Sequence, residues 1–276
     1  MKVAVAQMVS INDLNANFQQ VRELVASAAQ ENVELILLPE NFAFFGAADF
    51  FELGLAEKTK FGPIRKFLSG LASDFGLYII AGSLPTTAAN AQGKKPEKNK
   101  VFTRSIVYSP AGDEVSFYDK IHLFDVEVDD SEGNYRESDS FSAGSQAVVV
   151  KLPQHQLGLS ICYDLRFPEL YRELRQLGAE IMCVPAAFTY VTGRAHWQVL
   201  LRARAIETQC FILAANQGGQ NTSTRSTWGH SCIVSPWGEV IGQLDFGAGL
   251  VVAELDFDRL KKIRKDMPIA KHQRLN

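Results

Sequence analysis

The sequence predicts an α/β protein made of two sheets, each covered by helices on its outer face. Three observations predict it. About a dozen short strand-like runs alternate with four or five helical patterns. Some strand runs are continuously apolar, as expected of strands covered on both faces. No linker rich in Pro, Gly or Ser and no repeat of fixed period divides the chain. With 276 residues, 46% of them apolar, the chain is long enough to bury a sizeable core as one domain over 1–276.

The elements follow in order. Residues 2–8 (KVAVAQM) alternate small and β-branched side chains and read as a strand. In 12–32, Leu14, Phe18, Val21, Leu24, Val25 and Ala28 recur at spacings of three and four, an amphipathic helix capped near Asn12 or Asp13. Residues 34–40 (ELILLPE) are a buried strand, 49–74 carry a helical pattern, and 77–83 (LYIIAGS) form another strand. The polar, turn-rich 84–100 is expected to be a surface loop. Residues 101–120 read as two strands joined by a Pro-Ala-Gly-Asp turn, and 124–144 as an acidic, irregular segment. Strands at 146–152 and 157–162 precede a helix at about 166–177, a strand at 180–185, a long helix at 195–208 and a strand at 211–216. A hairpin around Ser-Pro-Trp-Gly spans 229–244, the last strand is 249–255, and a basic helix near 256–265 closes the pattern.

Bulk properties exclude several classes. A formal net charge of −3 gives no electrostatic case for nucleic acid. No apolar run approaches the roughly 20 residues a membrane helix needs. The N-terminus reads as a strand rather than a signal peptide. Cysteines stand at 162, 183, 210 and 232, unpaired as C-x-x-C and in apolar surroundings. That usage predicts reduced thiols in a cytoplasmic protein, with neither a disulfide frame nor a metal cluster.

The stretch LSICYDLRFPEL (159–170) raises the chemical question. Free cysteines are usually small core hydrophobes, and Cys183, Cys210 and Cys232 fit that role. Cys162 differs because it ends a strand just before a helix, where backbone N–H groups favour a thiolate and can bind a developing oxyanion. A cysteine nucleophile needs a proton acceptor. Glu40 and Lys120 also close strands, Glu137 lies in the loop before the cysteine-bearing pair, and strand ends gather on one edge of a sheet. A Cys–His pair using His122, His196 or His230 is the alternative, and spacing does not choose between them. His155 and His272 are expected at the surface.

With LILLPEN, YDKIHLFD, GLSICYDLRFPEL and GHSCIVSPWGEV in this order, the chain resembles the nitrilase, or carbon–nitrogen hydrolase, superfamily along essentially its full length. The resemblance implies an α-β-β-α sandwich, two mixed sheets with helices outside, and a Glu–Lys–Cys triad at Glu40, Lys120 and Cys162. The family's second glutamate falls on Glu137. Tyr163 would contribute its amide, together with Lys120, to the oxyanion hole. CYDLRFPEL, TGRAHWQVLLRARAIETQ and GHSCIVSPWGEV look like the Nit-type amidase branch that contains deaminated glutathione amidase. That branch implies hydrolysis of a small 2-oxo amide to an acid and ammonia or an amine through a cysteine thioester, without cofactor or metal, in a homodimer or larger homo-oligomer. NKVFTRSIVYSP lacks the Asn that many relatives carry after the aromatic residue, which bears on substrate choice and leaves the chemistry intact. An omega-amidase or a nitrilase with the same triad is the alternative enzyme, and a catalytically silent scaffold the alternative class.

A substrate carboxylate calls for a guanidinium, which binds it in a fork. Arg166, Arg194 and Arg225 are the candidates; a structural ion pair with Glu169 or Asp164 is the plainer reading of Arg166. Phe188 is expected in the pocket wall by resemblance, or in the core. Trp197, Leu200, Leu201 and Ala205 form a stripe for core or dimer packing. The cations of FDRLKKIRK are a solvated face.

Overall fold

The computed structural model describes residues 1–46 and 49–274; the last two residues of the tail 268–276 lie outside it. The first sheet contains β1 (Lys2–Gln7), β2 (Leu35–Leu37), β3 (Tyr78–Ile80), β4 (Leu84–Thr86), β5 (Phe102–Tyr108), β6 (Glu114–Asp119) and β15 (Gly249–Glu254). β1, β2 and β3 run parallel, β15 lies antiparallel on β1, and β5 lies antiparallel on β3. β4 and β6 occupy opposite sides of β5: Arg104 pairs with Leu84 on one and Asp119 on the other. The second sheet has the order β14 (Val240–Gln243), β13 (Cys232–Val234), β12 (Phe211–Asn216), β11 (Ile181–Ala186), β10 (Gln156–Leu159), β9 (Val148–Lys151). Its centre, β10–β11–β12, is again parallel.

Period-two patterning assembles the layers. Along β1, Val3 and Val5 enter the core shared with the second sheet, while Ala4, Ala6 and Met8 face α1 (Leu14–Gln30) and α3 (Pro63–Phe75). All are fully buried, as a sheet covered on both faces requires. On the far side of the second sheet lie α4 (Pro168–Gln176) and α5 (Tyr190–Thr208), whose Leu170, Leu174, Trp197 and Leu201 pack on its outer face and continue the same buried cluster. The layers are therefore helix, sheet, sheet, helix. The sheets meet at the ends of β1 and β12, where Met8 bridges Gln217 and the Gly218 amide donates to the Met8 carbonyl at 2.8 Å.

Several expected boundaries move for identifiable reasons. The helical pattern of 49–74 is two helices, α2 (Phe50–Ala56) and α3, with Pro63 at the first turn of the second. The loop expected at 84–100 begins with strand β4. The long helix starts at Tyr190, five residues early, because the Thr189 hydroxyl caps it by accepting from the Thr192 amide. Gly193 inside it is a packing choice: a Cβ there would sit 2.2 Å from the Trp228 Cβ. The acidic 124–144 holds a short hairpin, β7 (Asp125–Glu127) and β8 (Asn134–Arg136), and a 3-10 turn over Glu137–Asp139. α6 (Phe257–Asp266) and a short α7 (Ile269–His272) complete the described chain. Among the described residues no helix is long and apolar enough to cross a membrane.

Candidate active site

Glu40, Lys120 and Cys162 meet at one edge of the sandwich. Glu40 follows β2, Lys120 follows β6 in the same sheet, and Cys162 follows β10 in the other. The chain around each is closely specified. Beside Glu40, Gly82 adopts φ +53, and a Cβ on it would lie 2.0 Å from the Pro39 carbonyl oxygen. Asn41 next to Glu40 is also left-handed, at φ 56, which Asn tolerates better than most residues. Buried Gln217 reaches across from the second sheet and donates to the Glu40 carbonyl at 3.0 Å and to Ser10 Oγ at 2.8 Å. Cys162 itself has φ 48, an uncommon conformation for a residue with a side chain. It opens a 3-10 turn, Cys162–Arg166, and the strand–turn geometry aims its sulfur into a cavity.

The Lys120 ammonium is buried and lies 3.0 Å from Glu40 Oε1 and 2.9 and 2.8 Å from the two carboxylate oxygens of Glu137. The Phe124 amide donates to Glu137 Oε2 at 2.6 Å and fixes that carboxylate. The Cys162 thiol shares the cavity wall with Glu40 and Ala187. Burial disfavours charge on Lys120, but Glu137, Glu40 and the Cys162 sulfur outweigh it and hold the ammonium well above the ordinary lysine value. Burial raises the Glu137 carboxyl above its usual range, against the pull of Lys120. Burial and then the Glu40 charge push the Cys162 thiol well above its usual value. The sequence suggested a thiolate stabilised by a helix start. Burial and the neighbouring Glu40 charge act in the opposite direction and favour the protonated thiol.

The cavity holds about 530 Å³. Glu40, Lys120, Glu137 and Cys162 lie in its wall, with Tyr163 and Phe188, and aromatic rings of Phe44, Phe45, Phe124 and Tyr135 supply much of the rest. Arg166 and Arg225 also face it. Arg166 makes no ion pair with Glu169 or Asp164; its guanidinium lies 5.8 Å from the Tyr163 ring and 5.6 Å from the Phe188 ring, with Nη1 3.3 Å from His196 Nδ1. Arg225 is held between Phe45 and Tyr135, 4.8 and 5.2 Å from their ring centres, and its Nε is buried without a hydrogen-bond partner. Arg136, Arg166 and Arg225 are the cavity-lining arginines, and among the described residues none of the three is in an ion pair with a carboxylate.

The carbon–nitrogen hydrolase family profile matches residues 2–265. The chain belongs to the carbon–nitrogen hydrolase family. A relative from Yersinia enterocolitica, named deaminated glutathione amidase, is 39% identical over 99% of this chain and 92% of its own. Among solved structures, Saccharomyces cerevisiae Nit3, a member of branch 10 of the nitrilase superfamily, superposes with a TM-score of 0.87 at 29% identity, over 100% of this chain and 97% of that one. The C. elegans NitFhit protein gives a TM-score of 0.86 at 35% identity over 99% of this chain, which spans 65% of NitFhit. Members of this family hydrolyse carbon–nitrogen bonds, and this chain is a hydrolase of that class with the nitrilase fold.

Two expectations about the site change. Arg194 leaves the candidate set, because α5 turns its side chain to solvent and away from the cavity wall. None of the histidines considered as the base borders the cavity: His122 Nδ1 is engaged by Asp164 at 2.7 Å, His196 faces Arg166, and His230 Nδ1 lies 2.8 Å from the Trp228 carbonyl. Phe188, 4% exposed, packs on Trp197 at 4.8 Å and lines the cavity, so the core and pocket readings are both met. Trp197 belongs to the core, its indole donating to the His230 carbonyl at 2.9 Å. Sequence reasoning missed Phe45, Phe124 and Tyr135. The only signal for Tyr135 was its place two residues before Glu137.

Proposed function

We propose that the protein is an amidase acting on a small 2-oxo amide that carries carboxylates, with deaminated glutathione as its substrate. Glu40 accepts the Cys162 proton as the sulfur bonds to the amide carbon and the carbonyl electron pair moves to oxygen. The Lys120 ammonium and the Tyr163 amide stabilise that oxyanion. Glu40 then protonates the nitrogen, the C–N bond breaks, and the amine leaves a thioester on Cys162. Water, deprotonated by Glu40 beside Glu137, attacks the thioester; collapse releases the acid and returns the proton to sulfur. In deaminated glutathione the leaving amine belongs to a cysteinylglycine unit, and in a primary amide it is ammonia.

The observation that carries this reading is the convergence in one cavity wall of the Cys162 sulfur, the Glu40 carboxylate and the buried Lys120 ammonium 3.0 Å from that carboxylate. The substrate assignment is supported by the name of the Yersinia relative and by Arg166 and Arg225. Deaminated glutathione has a carboxylate at each end, and each arginine can meet one in a fork. Activity on deaminated glutathione, 2-oxoglutaramate and a simple nitrile tests the assignment. The first is expected to have the highest kcat/KM, and a higher value for either of the others overturns it.

We also propose that the chain works in the cytoplasm as a homodimer. Exposed apolar side chains on α5, Val199 at 69% and Ile206 at 51%, support the pairing. A single species of monomer mass in sedimentation at micromolar concentration would contradict it.

A further inference from the structure

Lys120 and Cys162 come from different sheets, and one buried carboxylate ties the chain around both. Asp164 is fully buried and lies outside the cavity wall. Its Oδ2 accepts from the Ile161 amide at 2.8 Å and from the Tyr118 hydroxyl at 2.7 Å. Its Oδ1 accepts from the His122 amide at 3.0 Å and lies 2.7 Å from His122 Nδ1. The Tyr118 hydroxyl accepts in turn from the Ile121 amide at 3.2 Å. Tyr118, Ile121 and His122 bracket Lys120; Ile161 immediately precedes the nucleophile. Beyond the turn, Phe167 stacks on His122 at 3.7 Å. The four contacts use the four lone-pair directions a carboxylate offers, so the group cannot rotate without losing a tie to one of the two segments.

We infer that Asp164 is a positioning residue: it fixes the Lys120 segment against the left-handed turn of Cys162, and so sets the distance from the ammonium to the attacking sulfur. The inference rests on the reading of Lys120 as the oxyanion donor and Cys162 as the nucleophile. Asparagine at 164 offers one acceptor oxygen, while its N–H groups face donors on the other side. One segment then comes loose from the other. A displacement of about 1 Å in such a site costs about 10²-fold in rate. The step affected is acylation, where both groups act on the same carbonyl. Ground-state binding by the arginines and rings of the cavity is untouched.

The test is the acylation rate of Asp164→Asn per functional site, with sites titrated from the burst of amine release. The expected result is a fall of about 10- to 100-fold in that rate with KM within about threefold of wild type. A residue that only stabilised the fold would lower the burst amplitude and leave the rate per titrated site unchanged, and that result overturns the inference. Tyr118→Phe and His122→Phe each remove one side-chain contact and keep the rings. Smaller losses of the same kind are expected in both, and wild-type acylation in both overturns the inference even where Asp164→Asn does not fold. If Cys162→Ala turns over like wild type, the reading of the site fails first and takes Asp164's role with it. Wild-type behaviour in the Asp164 series beside an inactive Cys162→Ala removes the inference alone.

Discussion

Lys120 and Glu137 are joined twice, with both carboxylate oxygens of Glu137 within 2.9 Å of the ammonium, whereas Glu40 meets it through one oxygen at 3.0 Å. The two acids are therefore unequal. Glu137 is anchored by Lys120 and by the Phe124 amide; Glu40 is the one whose charge acts on the thiol. In the proposed mechanism Glu40 moves protons, and Glu137 holds the cation that stabilises the oxyanion.

Replacing the cation tests that division. Lys120→Met removes an oxyanion donor and leaves two buried carboxylates without their shared counter-charge. Turnover is expected to fall by about 10²–10³-fold or more. Steady-state amine release on the folded variant measures it, and near-wild-type activity would count against the assignment.

The protonation state of the thiol gives a pH prediction. For an acid whose pKa rises on folding, the neutral form is the one the fold favours. That part of the stability is complete below the ordinary thiol value and is lost as pH rises through the folded value. Because burial and Glu40 raise Cys162, no thiolate should form in the neutral range. Thiolate absorbance, taken as the difference between wild type and Cys162→Ala, is expected to stay flat from about pH 6 to about pH 8.5. A titration within that window would contradict the resting state described above. Fast alkylation of Cys162 relative to the other cysteines would then reflect access, since it is 8% exposed and the other three are fully buried.

Arg225 offers a test of substrate recognition. Its buried Nε lacks a partner, and a substrate carboxylate would supply one. A charge-assisted hydrogen bond contributes about 1.5–3 kcal/mol, so Arg225→Gln is expected to raise KM about 10- to 100-fold for a carboxylate-bearing amide. A neutral amide should be affected little. Equal losses on both substrates would assign Arg225 a structural role.

Strand ends and helix periodicity made the layers legible and marked Glu40, Lys120 and Cys162 as candidates. Glu40 after LILLP and Cys162 after LGLSI are the clearest cases. The choice of a Glu–Lys–Cys triad over a Cys–His pair came from the family resemblance. What remained hidden lies where no period exists. The hairpin of β7 and β8 has strands of three residues, too short for alternation to register, and it carries Tyr135 to the cavity beside Glu137. The left-handed turn at Cys162 has no side-chain signature, because the surrounding bonds rather than a glycine impose it. The thiol's protonation depends on burial and on a glutamate distant in sequence, so a local reading of the helix start pointed the other way. Asp164 was read as a possible partner of Arg166; its partners are the Ile161 amide beside it and Tyr118 and His122 from the segment around Lys120.

The central claim is that Cys162 forms a covalent thioester with the substrate's acyl group. Acid-quenched intact-protein mass spectrometry during turnover of deaminated glutathione tests it directly. The account predicts one added acyl group, the substrate less its amine, located on Cys162 in the wild type, and neither adduct nor turnover in Cys162→Ala. Amine release by Cys162→Ala at the wild-type rate would contradict it.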